Sequence, residues 1–66
     1  MEHILQDLSL TGRQAEVLRL LATGATNETI AKTLRISLSG VKFHLGRAYR
    51  RTGLSRRALL HRLARG

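Results

Sequence analysis

Lys42, Phe43 and Arg47 are the most chemically pointed cluster in the sequence. Val41, Leu45, Ala48 and Tyr49 would form the inner row of their helix, with Phe43 and Arg47 on the outward side and Lys42 one turn into the helix. Lys42 offers an ammonium group to a guanine O6/N7 edge or to a nearby phosphate; a solvated lysine is the plain alternative. Phe43 has no core to fill on the outward side. It suits thymine methyls and the edges of neighbouring bases, or else packing at the junction with the preceding helix. Arg47 follows one turn later and suits phosphate or base contact. Arg50 and Arg51 either clamp phosphate or complement the dipole at the end of their helix. Ser37, Ser39, Thr26 and Asn27 are helix-capping types first. Exposed helix N-termini also present N–H groups to phosphate, a role assigned here to Ser39 and left open for Thr26 and Asn27.

Other chemistries lack their residues. There is no Cys, which removes disulfides, dithiol redox chemistry and thiolate metal sites. His3, His44 and His61 have no ligand-like spacing, so no metal and no cofactor is expected. Glu16 has no acidic neighbour for paired-carboxylate catalysis and is expected to pair with an arginine. No nucleophile–base pair and no glycine-rich phosphate loop is present, so an enzyme is not expected.

The charge is unevenly placed. All four acids lie in residues 1–28, where two arginines leave a net −2; residues 29–66 carry +10 with no acid. Ten of the twelve cations are arginine. Such a surface suits an anionic partner, with a solvated arginine-rich face as the bland alternative. At 42% hydrophobic, the chain is not a disordered basic tail. Sixty-six residues allow one domain with a small core and no deep substrate cavity. No apolar run reaches the length of a membrane span, and residues 1–10 lack the features of a signal peptide.

The elements that must hold these side chains are all helical. No stretch has period-2 alternation, no hairpin signal occurs and proline is absent. Residues 1–9 read as a lead-in, with Ile4, Leu5 and Leu8 at most adding a short turn. Residues 10–66 read as an all-α domain of four helices near 11–23, 27–34, 38–52 and 55–64. Thr11 and Gln14 fit a capping box, with Leu10 as its hydrophobic staple. Gly24 and Gly53 supply helix stops, the latter with Leu54 completing a Schellman end. Thr26 or Asn27, Ser37 and Ser55 cap the later helices. The second and third helices form a short-helix, tight-turn, longer-helix unit, the geometry of a helix-turn-helix. Leu59, Leu60 and Leu63 exceed what so small a core needs; they serve either as a dimer seam or as packing.

Leu10-Thr11-Gly12-Arg13-Gln14-Ala15-Glu16-Val17-Leu18 resembles the opening of the LuxR-type (GerE/FixJ/NarL) DNA-binding domain. Gly24-Ala25-Thr26-Asn27-Glu28-Thr29-Ile30-Ala31 resembles its second-helix signature. Ile36-Ser37-Leu38-Ser39-Gly40-Val41-Lys42-Phe43-His44-Leu45 resembles its recognition helix, and Tyr49-Arg50-Arg51-Thr52-Gly53-Leu54 the end of that helix. The likeness spans about Leu10 to Leu60. It implies a bacterial, cytoplasmic, nucleoid-associated regulator that binds double-stranded DNA as a homodimer, often on inverted half-sites, with its fourth helix contributing to dimerisation. It implies a phosphate contact for His44, against a half-buried packing histidine, and a base-reading position at Gly46. It also implies placement behind a receiver or ligand-sensing domain, as in response regulators; an excised domain and a stand-alone regulator both remain open. The chain departs from the pattern at Thr29, commonly Glu, at Gly40, commonly Thr, and at Gly46, where a polar side chain is common.

The expected function is therefore sequence-specific double-stranded DNA binding by a transcription regulator, with residues 38–52 in the major groove. A module docking on an acidic protein, such as RNA polymerase or a receiver domain, is the alternative. A membrane-active cationic helix would need disorder in water, which the caps and helix stops argue against.

Overall fold

Apolar residues at three- and four-residue spacing, interrupted by capping hydroxyls and left-handed turns, divide the chain into five helices and no strand. The computed structural model describes all of residues 1–66. The helices are α1 (Glu2–Asp7), α2 (Gly12–Ala22), α3 (Asn27–Leu34), α4 (Leu38–Thr52) and α5 (Arg56–Arg65). α4 packs on α2 and α3, while α5 packs on the far side of α2 and on α1. The core is a single cluster in which every buried residue is apolar, led by Leu5, Leu10, Val17, Leu18, Ile30, Val41 and Leu59. Each large side chain so enclosed contributes about 1.5–3 kcal/mol, which is how 66 residues without a disulfide hold together.

Four helix boundaries follow local chemistry closely. Thr26 accepts a hydrogen bond from the Thr29 amide (3.1 Å), and Thr26 Oγ1 also donates to Thr29 Oγ1 (3.1 Å). Thr29, a departure from the common Glu, thus reinforces the α3 cap. Ser37 accepts from the Gly40 amide (2.9 Å) and Ser55 from the Ala58 amide (3.2 Å), so both serine caps form. Gly24, at φ +94°, closes α2 with two bonds: its own amide to Leu21 O and the Ala25 amide to Leu20 O. This is the Schellman pairing.

Four expectations need correction. First, residues 2–7 of the lead-in are helical, more than the short turn expected there, giving five helices instead of four. A six-residue helix is not stable alone. It forms here because Leu5 is buried against the rest of the core, α1 packs on α5, and Arg19 of α2 grips Glu2 through two 2.7 Å hydrogen bonds. Ile4 lies so close to the Gly66 backbone that a Cβ there would collide with it. Second, Thr11 makes no capping bond. Gly12, the first helical residue, takes a left-handed φ of +61°. Leu10 nevertheless enters the core, as a staple would. Third, α4 ends on a single bond from the Gly53 amide to Tyr49 O, while the Leu54 amide turns to Thr52 Oγ1 (3.2 Å). That is the simpler left-handed end, not a Schellman pairing. Fourth, α5 spans residues 56–65 instead of 55–64, with Ser55 capping it as expected.

Candidate nucleic-acid interface

The interface begins with how α4 is held. Val41, Leu45 and Ala48 are buried against α2 and α3, which fixes the rotation of the helix about its axis. The opposite stripe is then Ser39, Phe43, Gly46 and Arg50, spaced i, i+4, i+7 and i+11, with Arg47 beside it. Lys42 lies on one flank, exposed, and His44 on the other, half-buried. The turn that delivers α4 is tight: Arg35 adopts a left-handed φ of 57°, and the Ile36 amide returns to Ala31 O at 3.0 Å.

Phe43 is 55% exposed, so it does not pack at the junction with the preceding helix. The Arg47 guanidinium carbon lies 5.6 Å from its ring centroid, and the His44 ring meets it edge-on at 5.5 Å. A cation over an exposed ring contributes about 0.5–1 kcal/mol, enough to bias the arginine toward this orientation. The two glycines of α4 differ. A Cβ at Gly40 would sit 3.2 Å from Ser37 Oγ and 3.7 Å from Ile36 Cβ, inside the turn. A Cβ at Gly46 would meet nothing nearer than Arg50 Nη1 at 3.7 Å. Gly46 is therefore a shallow notch in the outward stripe, and Arg50 reaches back toward it.

Arg47, Arg50 and Arg51 share an open cleft of about 360 Å³ with Gln14 of α2, lined by these four polar residues. Sequence reasoning missed Gln14, having given it to the capping box. With that box unformed, Gln14 is free to face α4. Its position near the start of a helix that must pack on the recognition helix was the available signal. Asn27 places its Oδ1 where it is buried and unpartnered at the start of α3, next to the Thr26 cap. The Tyr49 hydroxyl is likewise buried without a partner, and that burial pushes its phenol pKa up, against an opposing effect of Arg56.

Electrostatics separate the two halves of the molecule. The ion pairs are Arg13–Glu16 (3.2 Å) and Arg19–Glu2 (2.7 Å), with His3 Nε2 lying 3.4 Å from Asp7 Oδ2, all within residues 2–19. None of the ten cations from Lys32 to Arg65 is paired with an acid. Arg19 holds the Glu2 carboxyl below its ordinary range, chiefly through their hydrogen bonds. Unpaired cations repel one another, and a polyanion relieves that repulsion. Leu59 and Leu63, weighed as a dimer seam, are 0% and 3% exposed and fill this chain's own core; Leu60 is half-buried against it. Only the edge of Leu60 remains for a partner.

Residues 8–64 match the bacterial regulatory proteins of the luxR family (GerE), and the chain belongs to that family. Its helix-turn-helix is the DNA-binding unit of transcription regulators. It is 44% identical over 57 residues to YhjB of Escherichia coli (strain K12), which is named as an HTH-type transcriptional regulator. It is 47% identical over 51 residues to SgaR of Hyphomicrobium methylovorum, named as a transcriptional regulatory protein. These alignments cover 85% and 77% of this chain but 28% and 24% of the relatives, so the chain spans about a quarter of their length. No solved structure matches at the same stringency. No helix is long and apolar enough to cross a membrane.

Proposed function

We propose that this chain binds double-stranded DNA sequence-specifically, with α4 in the major groove. One observation carries the reading: the outward stripe of α4 is set by three buried residues on its other side and bears cations that no acid neutralises. On this reading Lys42, Phe43 and Arg47 meet base edges, and the notch at Gly46 lets the helix seat closely against them. Ser39, His44, Arg50 and Arg51 take phosphates, joined by Gln14 through the shared cleft. Thr26 and Asn27 lie at the α3 N-terminus, where free amides and the helix dipole favour a phosphate. The protein acts as a homodimer on inverted half-sites in the bacterial cytoplasm, at the nucleoid, and regulates transcription by its placement relative to RNA polymerase. A longer regulator of the response-regulator kind is the setting this reading supplies.

Selection of bound sequences from a random duplex pool tests the proposal. Enrichment of a short motif repeated with two-fold symmetry is the expected result; its spacing gives the dimer geometry. Recovery of unenriched sequence would leave only non-specific polyanion binding. On the selected site, Lys42→Ala is expected to lose about 1–3 kcal/mol and to relax one base position. An equal loss on random duplex would make Lys42 a phosphate contact instead.

A further inference from the structure

Phe43 is the most exposed large apolar side chain of the molecule, and it stands on the basic outward stripe of α4. Two neighbours fix its surroundings. The His44 ring meets it edge-on at 5.5 Å, and the Arg47 guanidinium lies over it at 5.6 Å. His44 is half-buried, so it steadies the ring from the helix side and leaves the outer surface open. Gly46, one residue short of Arg47, adds no side chain that could cover the ring. Arg47 has no acid partner, so its N–H edge is free for an acceptor.

We propose that Phe43 and Arg47 act as one unit that reads a C5-methylated pyrimidine in the base pair beside a guanine, so that 5-methylcytosine is accepted as thymine is. This rests on the placement of α4 in the major groove proposed above, and it names what the stripe reads there. An exposed ring is stabilised only by an apolar surface laid against it. Phosphates and the nitrogen and oxygen edges of bases are polar, and the C5 methyl is the apolar group that the major groove presents. Unmodified cytosine lacks that methyl; 5-methylcytosine carries it at the same carbon. Arg47 supplies the second half of the step. A guanidinium already held on a ring loses less freedom when its fork meets guanine O6 and N7. The two groups are 5.6 Å apart, against a rise of about 3.4 Å per base pair, so their targets lie in neighbouring pairs. Methylation of a cytosine at this step therefore raises affinity, which makes DNA modification an input to binding.

The motif selected from the random duplex pool supplies the probe, and fluorescence anisotropy of the whole chain supplies Kd. Four duplexes carry thymine, uracil, 5-methylcytosine or cytosine at the pyrimidine beside the guanine. Thymine and uracil differ by the methyl alone, as do 5-methylcytosine and cytosine. The chain is expected to bind the methylated member of each pair about fourfold more tightly. Phe43→Ala is expected to bring both ratios to one, with helix content by circular dichroism unchanged because the side chain is exposed. Phe43→Leu is expected to keep the methyl preference. It should also lessen the loss caused by 7-deazaguanine at the neighbouring position, because leucine touches the methyl but holds no guanidinium. A methyl preference that persists in Phe43→Ala overturns the proposal, since the methyl then acts through the shape of the duplex. Equal binding within both pairs by the unsubstituted chain, or an enriched motif with no thymine–guanine step, also overturns it and leaves sequence-specific binding in place. No enriched motif at all removes the major-groove reading, and this inference with it.

Discussion

At single positions the chain shows which groups serve stability and which do not. Gly46 sits in the middle of a fifteen-residue helix with room for a methyl, which would meet only Arg50 Nη1 at an ordinary 3.7 Å. Gly46→Ala is therefore expected to stabilise the fold by about 0.5–1 kcal/mol, raising Tm by a few degrees. The same methyl fills the notch that a base pair would approach, so affinity for the selected DNA site should fall while Tm rises. A variant that gains stability and binds DNA unchanged would show that Gly46 plays no part in the contact. Tyr49 makes the complementary case. Its hydroxyl is buried and unpartnered, and such a group costs desolvation without return. Tyr49→Phe is expected to leave stability unchanged or raise it by about 1 kcal/mol in urea denaturation. The outward place of Phe43 was legible in the sequence because a helical period puts it opposite Val41 and Leu45, with Lys42 on the flank. Gln14 was not, because the sequence pattern gives it to a capping box whose Thr11 bond does not form.

Among the elements, α1 is the one whose existence depends most on its neighbours. Its exposed tie is the Glu2–Arg19 pair, and Glu2 titrates below its ordinary 4.5 because Arg19 donates to it. A carboxylate whose folded pKa is depressed stabilises the fold fully above its unfolded pKa and loses that contribution as pH falls through the folded value. Amide exchange at Leu5 and Leu8 should therefore quicken as pH drops below about 4.5, after correction for intrinsic rates. Glu2→Gln should exchange faster at neutral pH and lose the acid-dependent step. Persistence of that step in the variant would assign it to another carboxylate. The later helices depend less on context: α3 and α4 start at the hydroxyls that cap them and stop at left-handed residues. Those signals act within four residues, so a one-dimensional reading reaches them. The union of α1 with α5 joins opposite ends of the chain, and no local signal announces it.

Over the whole molecule, charge is segregated: every acid–base pair lies in residues 2–19, and every cation beyond them is unpaired. DNA affinity should then fall steeply with salt, since each neutralised phosphate releases condensed counterions. Arg50 and Arg51, the two cations given phosphates on this reading, would contribute about −2 to the log–log slope. Replacing Arg50 and Arg51 with alanine should flatten it by about 2 if both bind phosphate. An unchanged slope would leave them as dipole partners at the end of α4. The amino-acid sequence by itself determined the helical class, the limits of α3 and α4, the outward stripe of α4 and the basic half of the chain. Period, capping and charge are properties of neighbours along the chain, and they survive without knowledge of packing. Only the tertiary structure decided that residues 2–7 are helical, that Leu59 and Leu63 are enclosed and that Gln14 joins the arginine cleft. Each of those depends on which surfaces meet across the core, and burial is settled by the partner that covers a side chain, not by the side chain alone.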